Sequence, residues 1–185
     1  QSVEFGRARD VGRVRARALR VEFSLGSLLR GEWKIADARI EAPEFMVGVD
    51  AAGRLALPVP MVGLAPEGVA IQQLTIEGGR AVLTDAASAS RLVLDKFEFK
   101  GDVGSLAGPA KGEGSFVVAG QHYPYRFSAG RLNDDGSIKV RLALDPIDRP
   151  FTGEADLSIR IEQGMPEFEG AFAFARAVGR APAGA

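Results

Sequence analysis

The chain has 185 residues, of which 46% are hydrophobic and 25% are charged. This composition is typical of a globular domain and argues against disordered and fibrous classes. The 23 basic and 24 acidic residues give a formal net charge of -1, and so weak a field argues against a dedicated nucleic-acid binder. With no cysteine, the chain has no disulfide framework, no thiolate nucleophile and no cysteine-based metal site.

The first segment of the chain is rich in arginine. Its positive charges would suit anionic lipid head groups or nucleic-acid phosphates. Several of them alternate with Val14 and Ala16, so the favoured interpretation is that they lie on the solvent-facing side of a strand. The arginines are Arg7, Arg9, Arg13, Arg15, Arg17 and Arg20.

The first half of the chain repeats one unusual apolar spacing, three positions and then two. In a helix, apolar residues would recur every three or four positions, and in a regular strand they would recur every second position. The observed spacing therefore predicts strands that each contain a bulge, after which the apolar residues return to the same face. It occurs at Ala16/Leu19/Val21, Ile35/Ala38/Ile40, Ile71/Leu74/Ile76 and Leu94/Phe97/Phe99.

One short helix is predicted near residues 24–30, where Ser24 or Ser27 can cap the first turn and Gly31 can close the last. The stretch 56–66 contains three prolines, so it cannot be a central strand and is predicted to be an extended loop. The uncharged apolar stretch 55–66 is also too short to span a membrane.

Two segments of the first half resemble each other. Ile35, Ile40 and Glu41 match Ile71, Ile76 and Glu77, and a second short alternating run follows each set. The match predicts a duplicated strand-turn-strand unit with its corner at Pro43 in one copy and at Gly78-Gly79 in the other.

The second half alternates apolar and polar residues in four runs, 123–127, 138–144, 151–162 and 168–174. Turn residues separate these runs, and 134–136 is predicted to turn a hairpin between the first two. The fold class expected is therefore mainly β: a long bent antiparallel sheet or meander, groove-like or sandwich-like, with one short helix.

The two ends of the chain suggest a fragment of a larger protein. Gln1 is not an initiator methionine, and residues 179–185 have the composition of a linker. We expect one β-rich domain over residues 1–178.

Three features resemble functional motifs without completing one. His122 has no second histidine or cysteine with which to form a metal or catalytic site. The run 133–136 lacks the spaced ligands of a calcium loop, and 108–114 lacks the ending of a phosphate loop and is interpreted as a glycine-rich bend. The sequence therefore predicts no enzyme and no cofactor.

Three stretches resemble the amino-terminal region of the AsmA family. They are LRVEFSLGSLLRGEWKI at 19–35, ARIEAPEF at 38–45 and DAAGR at 50–54. The resemblance implies a periplasmic protein of a diderm bacterium, attached to the inner membrane by an anchor before Gln1. It also implies kinship with the bridge-like, repeating β-groove proteins proposed to carry phospholipid toward the outer membrane, and it implies no catalytic residues.

Two functions remain open at this point. In the first, a bent sheet leaves its apolar face open as a groove for phospholipid acyl chains, because few helices are available to cover it. In the second, the same faces cover each other in a closed β-sandwich that acts as a binding or scaffold domain without lipid. The candidate groove residues are Leu74, Ile76, Phe97, Phe99, Val140, Leu142, Leu157, Ile159, Ile161 and Phe172.

Overall fold

The structure, a computed structural model, describes residues 3–5, 14–29, 34–56, 70–104, 108–146, 149–162 and 165–176. In this part of the chain the fold is mainly β, and the strands form one open mixed sheet of 13 strands.

The strands lengthen along the chain. The short early elements are β1 (Val3–Phe5), β2 (Val14–Ala16), β3 (Ala18–Phe23), α1 (Leu25–Leu28), β4 (Lys34–Glu41), β5 (Glu44–Val49) and β6 (Leu55–Ala56). The long ones are β7 (Ala70–Asp85), β8 (Ser90–Val103), β9 (Ala110–Val118), β10 (Gln121–Leu132), β11 (Ser137–Leu144), β12 (Phe151–Glu162) and β13 (Met165–Arg176). The four-residue helix α1 lies inside the range predicted for a helix.

The main path of the sheet runs β1-β2-β5-β7-β8-β9-β10-β11-β12-β13. Off this path, β4 pairs with β3 and β7, and β6 pairs with β5.

From β7 to β13 each strand pairs antiparallel with the next, and the alternating runs predicted this order for β10 to β13. The predicted hairpin is confirmed: Phe127 of β10 lies opposite Leu142 of β11. In its turn the amide of Asn133 donates to the carbonyl of Ser137 at 2.8 Å, and Gly136 has a φ of +76°, which glycine adopts without strain.

The sheet is mixed, because two of its pairings are parallel. Both β4 and β5 run parallel to β7. The internal repeat accounts for this arrangement, because its two copies lie side by side in register: Ile35 opposite Ile71, Ile40 opposite Ile76, and Glu41 opposite Glu77. A parallel neighbour needs a long connection, and the proline-rich segment before β7 provides the length.

The two copies of the repeat turn the same corner in different ways. One copy breaks into two strands at the fully buried Pro43, whereas β7 continues through Gly78, whose φ is +63°. Backbone hydrogen bonds join the corners: the amide of Ala42 donates to Glu77, and the amide of Arg80 donates to Pro43, both at 2.7 Å.

The predicted bulges are confirmed in the long strands. The pairing register shifts between Ile71 and Leu74 and again between Asp95 and Glu98, where Lys96 has a φ of +49°. Apolar residues return to the same face after each shift.

The interpretation of 108–114 as a bend is wrong, because β9 begins at Ala110 and includes Gly112 and Gly114. These glycines are required by close packing: a Cβ on Gly112 would lie 2.6 Å from the Phe99 ring. The predicted tail 179–185, the loop beyond Ala56, and the arginines before Val14 lie outside the described residues.

Candidate functional site

One face of the sheet is apolar from β4 to β13, and we call it the apolar face. The strand registers align its members: Ile76 lies opposite Phe99, Val140 opposite Leu157, and Ile159 opposite Phe168. Its residues include Ile40, Leu74, Ile76, Phe97, Phe99, Phe116, Tyr125, Phe127, Val140, Leu142, Leu144, Ala155, Leu157, Ile159, Ile161, Phe168, Phe172 and Phe174.

The middle of the apolar face is the core of the protein. Ile76, Phe99 and Tyr125 are buried, and half-buried neighbours such as Phe97 and Phe116 pack against them. The ring centroid of Tyr125 lies 6.0 Å from that of Phe97 and 5.8 Å from that of Phe116. These aromatic contacts help to bury the middle strands.

Tyr125 is also fixed by its polar end. Its hydroxyl donates to the backbone carbonyl of Glu98 at 2.9 Å. Burial, followed by the nearby negative charge of Glu98, raises the pKa of Tyr125 well above its usual value, so the phenol stays a protonated donor.

Toward the last strand the apolar face becomes exposed. Ile161, Phe168, Phe172 and Phe174 are 37%, 62%, 68% and 75% exposed, and we call these four side chains the exposed strip. Within the described ranges no second sheet or helix lies over them. Exposed apolar patches are found at ligand-binding grooves, at protein or membrane interfaces and on aggregation-prone surfaces.

The predicted groove residues differ in exposure according to where they lie between the buried core and the exposed strip. Ile76 and Phe99 are buried, so the prediction that they line an open groove is wrong for these two. Three others pack against the core as half-buried neighbours, namely Leu74, Phe97 and Leu142. Val140, Leu157 and Ile159 are half-buried, and Ile161 and Phe172 are exposed.

Sequence reasoning missed Phe168 and Phe174 as candidates, although both share the parity of Phe172. That shared parity was the available signal. Each phenylalanine of the strip has a specific neighbour on β12: Phe168 faces Ile159, Phe172 faces the small Ala155, and Phe174 faces Gly153, which has no side chain.

The opposite face of the sheet carries the charges. Two depressions, of about 980 and 510 Å³, are lined by charged side chains such as Arg126 and Glu154 together with apolar residues such as Ala143. Arg141 pairs with Asp156 at 2.6 Å, and Lys111 with Asp102 at 3.4 Å. The depressions therefore carry charged groups, whereas the exposed strip carries none.

Within the described ranges no group of three or more histidine, cysteine or acidic side chains is placed to hold a metal. His122 lies exposed on β10, opposite Val117 of β9. In the same part of the chain, no helix is both long and apolar enough to cross a membrane.

Comparison of the chain with models of protein families, with curated proteins and with solved structures finds no match. The resemblance to the AsmA family therefore stays a prediction from the sequence. A functional proposal has to rest on the geometry of the sheet.

Proposed function

We propose that this chain is a non-enzymatic module that binds phospholipid acyl chains along the exposed strip. In the full-length protein, an AsmA-like protein of the periplasm attached to the inner membrane, the module takes part in phospholipid transport to, or assembly of, the outer membrane. The observation that carries the proposal is the exposure of Phe168, Phe172 and Phe174 on one side of one strand.

The dimensions of the strip suit an acyl chain. From Phe168 to Phe174 the strand advances six residues, which corresponds to about 20 Å at about 3.4 Å per residue. The hydrocarbon core of a bilayer is about 30 Å thick, so the chains of one leaflet extend about 15 Å. One acyl chain can therefore lie along β13 over its whole length.

Apolar contact would supply the binding energy. Each square ångström of apolar surface removed from water contributes about 25 cal/mol. Because no member of the strip is charged, the strip favours the acyl chain over the head group. Contact with the half-buried Ile159 and Leu157 would extend the bound surface toward the core.

The closed sandwich, the alternative to this function, requires a second sheet that faces the first. The described strands form one sheet, and its last strand leaves its aromatic side chains uncovered. This geometry favours the lipid-binding function.

Photocrosslinking tests the proposal directly. A photoreactive amino acid replaces Phe168, and the purified chain is mixed with phospholipid vesicles and irradiated. We expect a lipid adduct by mass spectrometry, and we expect Phe172→Glu to reduce it strongly, because an acyl chain would then contact an ionised carboxylate.

Ala175→Glu is the matched control. It places the same charge on the same strand but on the charged face, opposite Thr152. The adduct should form normally in this variant. Equal adduct yields from folded Phe172→Glu and Ala175→Glu proteins would refute lipid binding at the strip.

A further inference from the structure

The last strand, β13, is an edge of the sheet. Within the described ranges its twelve residues pair only with β12, so its outer backbone groups have no strand partner there. Natural edge strands are commonly protected by lysines, prolines or bulges. From Gly170 to Ala175 this edge has none of these features and is made of glycine, alanine and phenylalanine.

We propose that two copies of this chain pair through β13, antiparallel and edge to edge, about a two-fold axis at Ala171. In this register Ala171 faces Ala171 of the second copy, so the numbers of any two facing residues add to 342. Phe168 faces Phe174 of the second copy, and Phe172 lies beside Gly170 of the second copy. Cross-strand aromatic pairs and aromatic-glycine pairs both stabilise antiparallel strands.

The charges of β13 agree with this register. Glu167 faces Ala175 of the second copy, and Glu169 faces Ala173, so no like charges lie opposite each other. Glu167 is also neutralised within its own chain by Arg160, whose Nη2 lies 2.6 Å from its carboxylate.

The symmetry of the pairing keeps the assembly closed. An axis perpendicular to the sheet leaves the apolar faces of both copies on the same side, so two exposed strips merge into one broader surface. Because the same edge is used by both copies, pairing ends at a dimer and does not form a filament.

Light scattering after size-exclusion chromatography tests the dimer. We expect a mass that rises with concentration toward twice the 19.6 kDa of one chain. Ala171→Lys places two lysines opposite each other at the axis, while within each chain the new lysine faces Asp156 and keeps β12 and β13 paired. The dissociation constant of the dimer should rise by at least about tenfold.

Ala175→Lys is the control, because its lysine faces Glu167 of the second copy, and it should preserve the dimer. A wild-type chain that stays monomeric up to high micromolar concentration overturns the proposal, as expected if another segment occupies the edge.

Cysteine crosslinking tests the register and does not depend on the lysine variant. The natural sequence has no cysteine, so a single introduced thiol can bond only with its copy. Ala171→Cys should form a disulfide-linked dimer under mild oxidation, whereas Ala175→Cys, far from the axis, should not. Equal crosslinking of both variants would contradict the proposed pairing.

Discussion

The hydroxyl of Tyr125 on β10 reaches across β9 and donates a hydrogen bond to the carbonyl of Glu98 on β8. Gly114 lies between the two strands, directly opposite Tyr125 and also opposite Phe99. The bulge between Asp95 and Glu98 accompanies this contact. A bulge, a glycine and a tyrosine thus join three strands at the centre of the core.

Removing the hydroxyl tests this connection. Tyr125→Phe keeps the ring but leaves the Glu98 carbonyl without its side-chain donor, and we expect a loss of about 1 to 2 kcal/mol in the free energy of unfolding. Urea denaturation measures it. Tyr123→Phe is the control, because Tyr123 stacks on Phe116 and its hydroxyl has no hydrogen bond within the described part of the chain. An equal loss in both variants would contradict the argument.

Gly114 should also be sensitive to substitution. A Cβ on Gly114 would overlap the Glu98 carbonyl and lie 2.9 Å from the Tyr125 hydroxyl. Gly114→Ala should therefore destabilise the chain by about 2 to 3 kcal/mol, measured by thermal or urea unfolding. Gly130→Ala on β10 is the matched control. There the nearest atom is 3.7 Å from the added Cβ, and the change should stay within about 1 kcal/mol.

The sequence allowed prediction of the strands, the bulges and the hairpin, because each leaves a local pattern of parity or turn residues. It also showed the repeat that aligns Ile40 with Ile76. It did not show that the two copies pair in parallel, since strand direction depends on how the chain returns between them and not on the residues that face each other.

The candidate site was predictable only in part, for a related reason. Parity places Phe99 and Phe172 on the same face, and it carries no information about what covers that face. Phe99 is buried in the core cluster with Ile76 and Tyr125, whereas Phe172, on the last strand, lies beside Ala155 and is 68% exposed. Parity alone could not distinguish these two positions.

The turn between β10 and β11 should depend on pH. The Asp135 carboxylate accepts hydrogen bonds from the hydroxyl and the amide of Ser137, at 2.6 and 2.9 Å, and these hold the pKa of Asp135 below its usual value of 3.8. A lowered pKa in the folded state stabilises the turn above pH 3.8, and this stabilisation is lost as the pH falls through the folded-state pKa.

Amide NMR of Ser137 during an acid titration checks this prediction. Its chemical shift and exchange rate should change below pH 3.8, when Asp135 takes up a proton. Asp135→Asn should remove that change, whereas Asp134→Asn, in the same turn, should retain it. A titration unaffected by Asp135→Asn would show that another group controls the turn.

Two glutamate substitutions should separate the core from the exposed strip. Leu142 packs against the core, so Leu142→Glu buries a carboxylate and should lower the free energy of unfolding by about 2 to 4 kcal/mol. Phe172→Glu lies on the same face, yet its side chain is in water, so the loss should stay below about 1 kcal/mol. Urea unfolding of both variants measures the difference. Comparable losses would mean that Phe172 is covered in solution, and an acyl chain would then have no open strip to bind.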